Sequence, residues 1–438
     1  MNVVDNIRLM ALEKTVDYLY ENSPYYQRII NSRKIKICSL DNLSLFPIIT
    51  REEVTTNLAE LRCKRSFPEL VQYTTGTTGQ PLPVYRTMNE LLTIKEIVES
   101  VVPDSKALGL TLRLVGPQHG IQGSAIEGSP TFYVDVSHRN GLEYAKELLT
   151  AEHRYEDIVG YIEILIGSLN DIKRLTIHLL SKGVSPENHK VRWLGVSASY
   201  LTQYWRHLLT DFWRAKILNT YGVTEITGRA HECFICGRFH FDPYVIPELV
   251  NINLEKNQYV ENGIGRLLLS SLYPFSADLL LLRYDTGDLF ELYPTECSTG
   301  IPGFSFLGRA KHCLLLTNNE GCHCILTVAQ IREFVDGLPD IALETRGYRV
   351  EHLPEQSLGR PCFSLNLEKG KDRVKAVVEL GLRYPPYLYP KRIEEITKCM
   401  KKHLMEQNAT LKEMVMIKEC DLEIRFFGSD KVLPGVDL

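Results

Sequence analysis

The most informative part of the chain is Tyr73-Thr74-Thr75-Gly76-Thr77-Thr78-Gly79-Gln80-Pro81. Glycines let a backbone approach a ligand closely, threonine hydroxyls donate hydrogen bonds, and successive N–H groups in such a loop form a concave anion-binding surface. This stretch is therefore suited to holding phosphates. It lacks the lysine of the GxxxxGKS or GxxxxGKT pattern, which argues against a nucleotide hydrolase of that class. A polar hairpin turn has a similar composition, so the stretch alone leaves both interpretations open.

Three further segments follow in order: Asn219-Thr220-Tyr221-Gly222-Val223-Thr224-Glu225, then Arg283-Tyr284-Asp285-Thr286-Gly287-Asp288-Leu289, then Leu307-Gly308-Arg309. With residues 73–81 they resemble the motifs of adenylate-forming enzymes, which include acyl-CoA synthetases, peptide-synthetase adenylation domains and luciferases. The resemblance is nearest to phenylacetate-CoA ligase and the coenzyme F390 synthetase-like proteins, because SPYYQRII at 23–30 and LFPIITREEV at 45–54 look like the opening of those ligases. It covers residues 15–310 well and the remainder weakly.

The resemblance implies ATP and Mg²⁺ as cofactors and gives each motif a role. The β- and γ-phosphates of ATP would be wrapped by Thr74, Thr75, Gly76, Thr77, Thr78 and Gly79. Adenine would be bordered by Asn219 and Tyr221, with Gly222 in the same nucleotide-binding segment. As catalytic groups, Thr224 would bond the α-phosphate and Glu225 would hold Mg²⁺, for which one carboxylate with phosphate oxygens is a usual shell. Asp288 would accept hydrogen bonds from the ribose hydroxyls, with Arg309 nearby.

Each of these residues has a plainer interpretation when taken alone. Glu225 fits a helix start, Asp288 a turn beside a glycine, and Arg309 a surface cation. The hypothesis rests on all four segments falling in one order.

The chain also departs from the superfamily pattern. The acidic pair that usually follows the Gly-Arg motif is absent, since residues 308–312 read Gly-Arg-Ala-Lys-His, and the adenine segment at 196–199 has no glutamate. The best candidate for the superfamily's catalytic lysine is Lys431, in the sequence FGSDKV at 427–432. A solvated lysine in a frayed tail is the alternative interpretation.

The implied reaction joins a small carboxylic acid to AMP with release of pyrophosphate, and then transfers the acyl group, most simply to CoA. An aryl or arylacetic acid is expected, in a pocket bordered by residues 117–120, and some relatives act in secondary metabolism. An amine, a hydroxyl and a carrier-protein thiol are the alternative acceptors, and the first two would make the enzyme an amide or ester synthetase. A non-catalytic nucleotide-binding homologue is the third hypothesis.

A second group of residues has the pattern of a metal site. Cys233 and Cys236 form a CxxC turn, His240 follows closely, and Cys297 is available from a later loop. Thiolates and imidazole at this spacing favour tetrahedral zinc, and four protein ligands would make the site structural. The alternative is a set of buried thiols beside a surface histidine.

Composition limits the remaining possibilities. The chain has 438 residues, a formal net charge of -4, 44% hydrophobic and 24% charged residues. These values are typical of a globular protein, and interspersed charge of this sign argues against a nucleic-acid partner. We expect no membrane segment, because the most apolar run is interrupted by Pro274, Ser276 and Asp278. The charged N-terminus and eleven cysteines without small-domain spacing indicate a cytoplasmic protein with reduced thiols.

Periodicity predicts two domains in an α/β protein. An amphipathic helix opens the chain and stops at residues 22–24, with an apolar face formed by Val4, Ile7, Met10, Leu12, Val16 and Leu19. Alternating helices and apolar runs such as LRLVG, YIEILIG and VRWLGVSA then predict a large layered α/β adenylation domain over 1–309. A small α+β lid is expected over 310–438, with helices near 326–335 and 391–406, strands near 342–350 and 362–367, and a final strand near 422–427.

Overall fold

The computed structural model describes residues 3–74, 81–93, 109–115, 130–155, 158–254, 258–294, 297–298, 300–318, 321–345, 358–369, 373–428 and 433–436. Its α-helices are α1 (Val3–Asn22), α2 (Pro24–Arg33), α3 (Arg51–Leu61), α4 (Arg139–Thr150), α5 (Leu169–Ser181), α6 (Gln203–Trp213), α7 (Val328–Val335), α8 (Pro390–Gln407) and α9 (Ala409–Met416). None of the helices in these ranges is long and apolar enough to cross a bilayer.

The strands begin in the N-terminal part of the chain with β1 (Leu70–Tyr73), β2 (Pro83–Arg86), β3 (Leu110–Leu114), β4 (Thr131–Val134), β5 (His153–Tyr155), β6 (Ile158–Gly160), β7 (Ile162–Ser168), β8 (Trp193–Ser197), β9 (Lys216–Tyr221), β10 (Ala230–Glu232) and β11 (Phe239–Phe241). They continue with β12 (Val245–Val250), β13 (Gly263–Ser271), β14 (Tyr284–Tyr293), β15 (Gly303–Arg309), β16 (Leu314–Asn318), β17 (Gly321–Leu326), β18 (Leu343–Glu344), β19 (Arg360–Pro361), β20 (Phe363–Lys369), β21 (Val374–Gly381) and β22 (Cys420–Phe427).

A mixed sheet of eleven strands dominates the structure, in the order β12-β13-β14-β15-β11-β10-β9-β8-β7-β3-β4. Neighbouring strands from β9 to β4 run parallel, and those from β12 to β9 run antiparallel. The helices α4, α5 and α6 cover one face of the parallel half, where Leu112, Leu165 and Leu194 are fully buried. This arrangement confirms the predicted α/β class.

Two halves of this sheet meet at a narrow joint. Strand β11 pairs with β15 through Phe239 opposite Phe304. Strand β15 belongs to the antiparallel half, where it pairs with β14 at six positions from Asp288 opposite Arg309 to Tyr293 opposite Gly303. The other edge of β11 pairs with β10, which continues through β9 into the parallel half.

The opening helix packs against the antiparallel half. Leu12, Val16 and Leu19 are buried in its core, and the helix ends at Asn22 as predicted. Ile7 and Met10 were wrongly predicted to belong to the buried face, because they are 43% and 62% exposed. The apolar stripe of α1 is therefore narrower than its periodicity indicates.

The C-terminal region has a hydrophobic core of its own. Helices α7, α8 and α9 pack on β20, β21 and β22, of which the last two are parallel. The two predicted helices and the final strand are confirmed by α7, α8 and β22. The predicted strand over 362–367 is confirmed by β20, and the one over 342–350 is reduced to β18 within the described residues. The separate core supports a division near Arg309, which stays a prediction.

This region docks on the N-terminal part through two carboxylates at the end of α7. Glu333 accepts hydrogen bonds from the Tyr200 hydroxyl at 2.8 Å and the Gln203 N–H at 2.9 Å. Asp336 accepts one from the Thr202 hydroxyl at 3.0 Å. Both carboxylates lie at the first turn of α6, where the unpaired N–H groups of a helix favour negative charge.

Candidate active site

Arg51 connects Thr74, a predicted phosphate-binding residue, to Glu225, the predicted Mg²⁺ ligand. Arg51, the first residue of α3, donates from Nη2 to Thr74 Oγ1 at 2.7 Å and from Nη1 to Glu225 Oε1 at 3.2 Å. Thr74 and Glu225 are 6% and 5% exposed, whereas about a third of the Arg51 side chain is open to solvent. Residues 75–79, to which the phosphate-wrapping role was also assigned, lie outside the described residues.

Two neighbours fix the orientation of the Thr224-Glu225 turn. The Tyr284 hydroxyl donates to Glu225 Oε1 at 2.8 Å, and burial followed by the Glu225 charge raises the pKa of this phenol. Arg86 is 4% exposed and donates from Nη2 to the Thr224 carbonyl at 2.8 Å. The Glu225 carboxylate therefore accepts from two donors, Arg51 and Tyr284, close to Thr74.

The ribose candidate Asp288 is buried at 2% exposure in a group of three motif residues. The Tyr221 hydroxyl donates to Asp288 Oδ2 at 2.7 Å, and Arg309 Nε lies 3.1 Å from Asp288 Oδ1. Desolvation raises the pKa of Asp288 to about 6, although the Arg309 charge opposes this shift. The structure thus brings Tyr221, Asp288 and Arg309 together, as their assignment to one nucleotide site requires.

Local backbone geometry explains how Asp288 is presented. Gly287 has a φ of +75°, a left-handed conformation that glycine adopts without strain. Its N–H donates to Asp285 Oδ1 at 2.9 Å, and that carboxylate is held by Arg266 Nε at 2.7 Å. The Arg309 guanidinium also donates to the Thr286 carbonyl, which anchors the arginine beside the same turn.

The adenine candidates occupy two adjoining segments. Asn219 is 7% exposed and donates from Nδ2 to Glu232 Oε2 at 2.8 Å, and Glu232 is also held by Arg206. Gly222 is exposed at the end of β9. In the neighbouring segment without a glutamate, Ala198 has a φ of +67°, which costs backbone energy for a residue with a side chain.

The four predicted metal ligands converge. The ligand atoms of Cys233, Cys236, His240 and Cys297 all lie within 4.8 Å of one another. Cys236 Sγ is 3.4 Å from His240 Nε2, which is close to the edge of about 3.5 Å expected for a tetrahedron with Zn–S about 2.3 Å and Zn–N about 2.0 Å. The other imidazole nitrogen, Nδ1, lies 2.9 Å from the Pro302 carbonyl, a partner that would leave Nε2 free for a metal.

The chain is similar in sequence to two curated ligases. The chain is 25% identical over 324 residues to phenylacetate-coenzyme A ligase of Thermus thermophilus, a match that covers 70% of each chain. A second phenylacetate-coenzyme A ligase, from Aromatoleum evansii, is 21% identical over 81% of this chain and 84% of its own. No protein-family model matches.

A solved structure shares the fold. An open conformation of 2-hydroxyisobutyryl-CoA ligase, in complex with 2-HIB-AMP and CoA, superposes with a TM-score of 0.68 at 11% identity, over 98% of this chain and 89% of that one. The chain is a homologue of phenylacetate-coenzyme A ligases and has the fold of adenylate-forming ligases.

The sequence interpretation missed residues of this site, chiefly Arg51. Thr50 and Glu53 form a capping box, which predicts the start of α3. A cation in the first helical turn is disfavoured by the helix dipole, so Arg51 directly after the cap was the available signal. Lys431, the proposed catalytic lysine, lies outside the described residues.

Proposed function

We propose that this chain is an ATP-dependent carboxylic acid–CoA ligase whose substrate is an aryl or arylacetic acid. A carboxylate oxygen of the acid attacks the α-phosphorus of ATP, the bond to the β-phosphate breaks, and acyl-AMP and pyrophosphate form. The CoA thiol then attacks the acyl carbonyl, loses its proton and displaces AMP. Activation followed by CoA transfer is the chemistry of the homologues.

One observation supports the first half-reaction most directly. Thr74 and Glu225 come from motifs far apart in the chain, yet Arg51 bridges them with two hydrogen bonds. An arginine beside a threonine hydroxyl and a carboxylate suits an anionic polyphosphate with its metal ion, because charge neutralisation supplies most of the catalysis in phosphoryl chemistry. In this proposal Glu225 holds Mg²⁺, which would neutralise charge on the departing pyrophosphate.

The remaining motif residues would position the nucleotide. Asp288 in its ionised form would accept the ribose hydroxyls, with Arg309 Nε 3.1 Å from its second oxygen. Tyr221 would border the adenine while its hydroxyl orients Asp288. Thr224 would donate to the α-phosphate from a turn held by Arg86, and Lys431 would bind the reacting carboxylate.

We further propose that Cys233, Cys236, His240 and Cys297 bind a structural zinc ion. Four soft protein ligands would leave no open coordination position, so the metal would hold loops rather than take part in chemistry. The convergence of their ligand atoms supports this assignment.

The decisive test is acid-dependent pyrophosphate release from ATP and Mg²⁺, with hydroxylamine to trap the acyl-AMP and then with CoA. The expected products are a hydroxamate and a thioester. Glu225→Gln should abolish release, while the matched variant Glu187→Gln should not, because Glu187 is exposed and pairs with Arg214. A product that forms only with an amine or a carrier-protein thiol would replace CoA as the acceptor. Nucleotide binding without release on any acid would overturn the proposal.

A further inference from the structure

An arginine of β3 projects from the face of the sheet opposite the described helices α4 to α6. Arg113 lies in register with Ile166 of β7, which pairs with Gly195 of β8, which pairs with Leu218 of β9. Residues in register share a face of the sheet. The row of Arg113 is half-buried, whereas the neighbouring row, in which Leu112 pairs with Leu165, is fully buried against helices. Arg113 therefore projects from the face of the sheet opposite α4 to α6.

A second arginine stands at the end of β9. An added Cβ at Gly222 would lie 3.3 Å from Arg229 Cγ, so the Arg229 side chain packs beside Gly222, the exposed glycine of the Tyr221-to-Glu225 motif. Its backbone N–H donates to Asp242 Oδ2 at 2.8 Å, and His231 Nε2 lies 3.2 Å from the other Asp242 oxygen. Both Asp242 oxygens thus have partners other than the Arg229 guanidinium.

The two guanidinium groups act on each other. Burial lowers the pKa of Arg113, and the positive charge of Arg229 lowers it further. Within the described residues neither guanidinium has a hydrogen-bonded or ion-paired partner, and Arg113 Nε is buried without an acceptor. Like charges in partial burial destabilise the protein unless an anion lies between them.

The location of this pair relates it to the acid rather than to the nucleotide phosphates. Arg51, Thr74 and Glu225 account for the polyphosphate side of the motif turn. Arg113 is level with Leu218, three residues before Tyr221, which is about 10 Å along the strand. This separation suits a substrate whose reacting carboxylate lies at Thr224 and whose opposite end points towards the two arginines. Residues 117–120, the predicted border of the acid pocket, lie outside the described residues.

We propose that the acid substrate carries a second carboxylate, remote from the reacting one, and that Arg113 and Arg229 bind it. The inference rests on the proposed adenylation and narrows its substrate class to dicarboxylic acids. A planar guanidinium matches a carboxylate with two parallel hydrogen bonds, and the half-buried Arg113 would also disfavour an uncharged substituent, which leaves its charge unpaired.

The test compares phenylacetate with 3- and 4-carboxyphenylacetate in pyrophosphate release and CoA thioester formation. Wild-type enzyme should favour a dicarboxylate by about 100-fold or more in kcat/KM. Arg229→Gln, at an exposed position, should lower kcat/KM for the dicarboxylate at least about tenfold and leave phenylacetate within about twofold. Arg113→Gln should lower kcat/KM for the dicarboxylate likewise and leave phenylacetate unchanged or improved, whereas the matched variant Arg192→Gln, whose side chain is 71% exposed and pairs with Glu163, should change neither.

The outcomes separate this inference from the proposed function. Preference of the wild type for phenylacetate, or equal losses on both acids in Arg229→Gln, would overturn the inference while adenylation stands. If no acid releases pyrophosphate, calorimetric titration with the same acids measures whether the protein still binds a dicarboxylate. Tighter binding of the dicarboxylate that requires Arg229 would support the inference although the proposed function fails, and equal weak binding of all acids would refute both.

Discussion

Replacing Arg51 by methionine tests the centre of the proposed site. The change keeps the unbranched apolar stem of the side chain but removes its hydrogen bonds to Thr74 Oγ1 and Glu225 Oε1, at 2.7 and 3.2 Å. Hydrogen bonds to charged groups contribute about 1.5–3 kcal/mol each when buried. Because a third of this side chain is exposed, we expect a stability loss of only about 1 kcal/mol.

The expected loss of activity is larger than the loss of stability. If Arg51 binds the departing pyrophosphate, its charge stabilises the transition state more than the ground state, and removal of one such donor costs about 10²–10³ in kcat, or about 3–4 kcal/mol. Arg51→Lys should recover part of this loss, since it restores the charge but not the two-donor geometry.

The assay is single-turnover formation of acyl-AMP under saturating ATP, alongside thermal unfolding of each variant. The matched control is Arg28→Met, which breaks the exposed ion pair with Glu60 and leaves the site intact. A normal rate of adenylation in Arg51→Met, with a lowered melting temperature, would refute the assigned role and make Arg51 a structural tie between α3 and the Thr/Gly loop.

Five other predictions concern the Cys/His group, Asp288, Lys431 and Glu333. The purified protein should contain about one equivalent of zinc by elemental analysis, and Cys236→Ser should reduce it below half; a metal-free, fully stable wild type would contradict the site. Because the pKa of Asp288 is raised to about 6, ATP affinity should fall as the pH drops below about 6, and Asp288→Asn should flatten this profile. The same shift favours the folded state at low pH, a contribution that decreases as the pH rises from about 4 to about 6 and that chemical denaturation can measure. Lys431→Ala should lower pyrophosphate release at least about 100-fold, and unchanged release would remove that lysine from the mechanism. Glu333→Gln should weaken docking of the C-terminal region and shift kcat for thioester formation. If the variant and the wild type have the same rates in both half-reactions, this contact has no role in catalysis.

Contacts between residues of recognisable sequence patterns were predictable, even where the residues lie far apart in the chain. The Tyr221, Asp288 and Arg309 group was predictable because each residue belongs to a recognisable motif, although residues 221 and 288 lie 67 positions apart. The Cys/His group was predictable because three ligands are close in the sequence and only Cys297 had to be inferred. Both predictions relied on patterns of residue types rather than on any calculation of packing.

Other contacts had no such pattern. The pairing of Arg51 with Glu225 spans 174 positions and depends on where α3 docks, which no local periodicity specifies. The placement of α7 against Thr202 and Gln203 likewise depends on how two separately packed cores meet. At α1, the exposure of Ile7 and Met10 shows the same limit on a smaller scale, since a helical repeat does not reveal how wide a face its neighbours cover.

The narrow joint between β11 and β15 has a consequence for how the nucleotide site is held together. Tyr221, Thr224 and Glu225 are carried by the parallel side of this joint, and Asp288 and Arg309 by the antiparallel side. The Cys/His group lies at the same joint, with Cys233, Cys236 and His240 on the β10–β11 side and Cys297 in the connection from β14 to β15. A metal there would act as a cross-link between the two halves of the proposed ATP site. Occupancy of a centre that performs no chemistry would thereby set the spacing between the ribose and phosphate contacts, and loss of zinc would lower ATP affinity before it unfolded the chain.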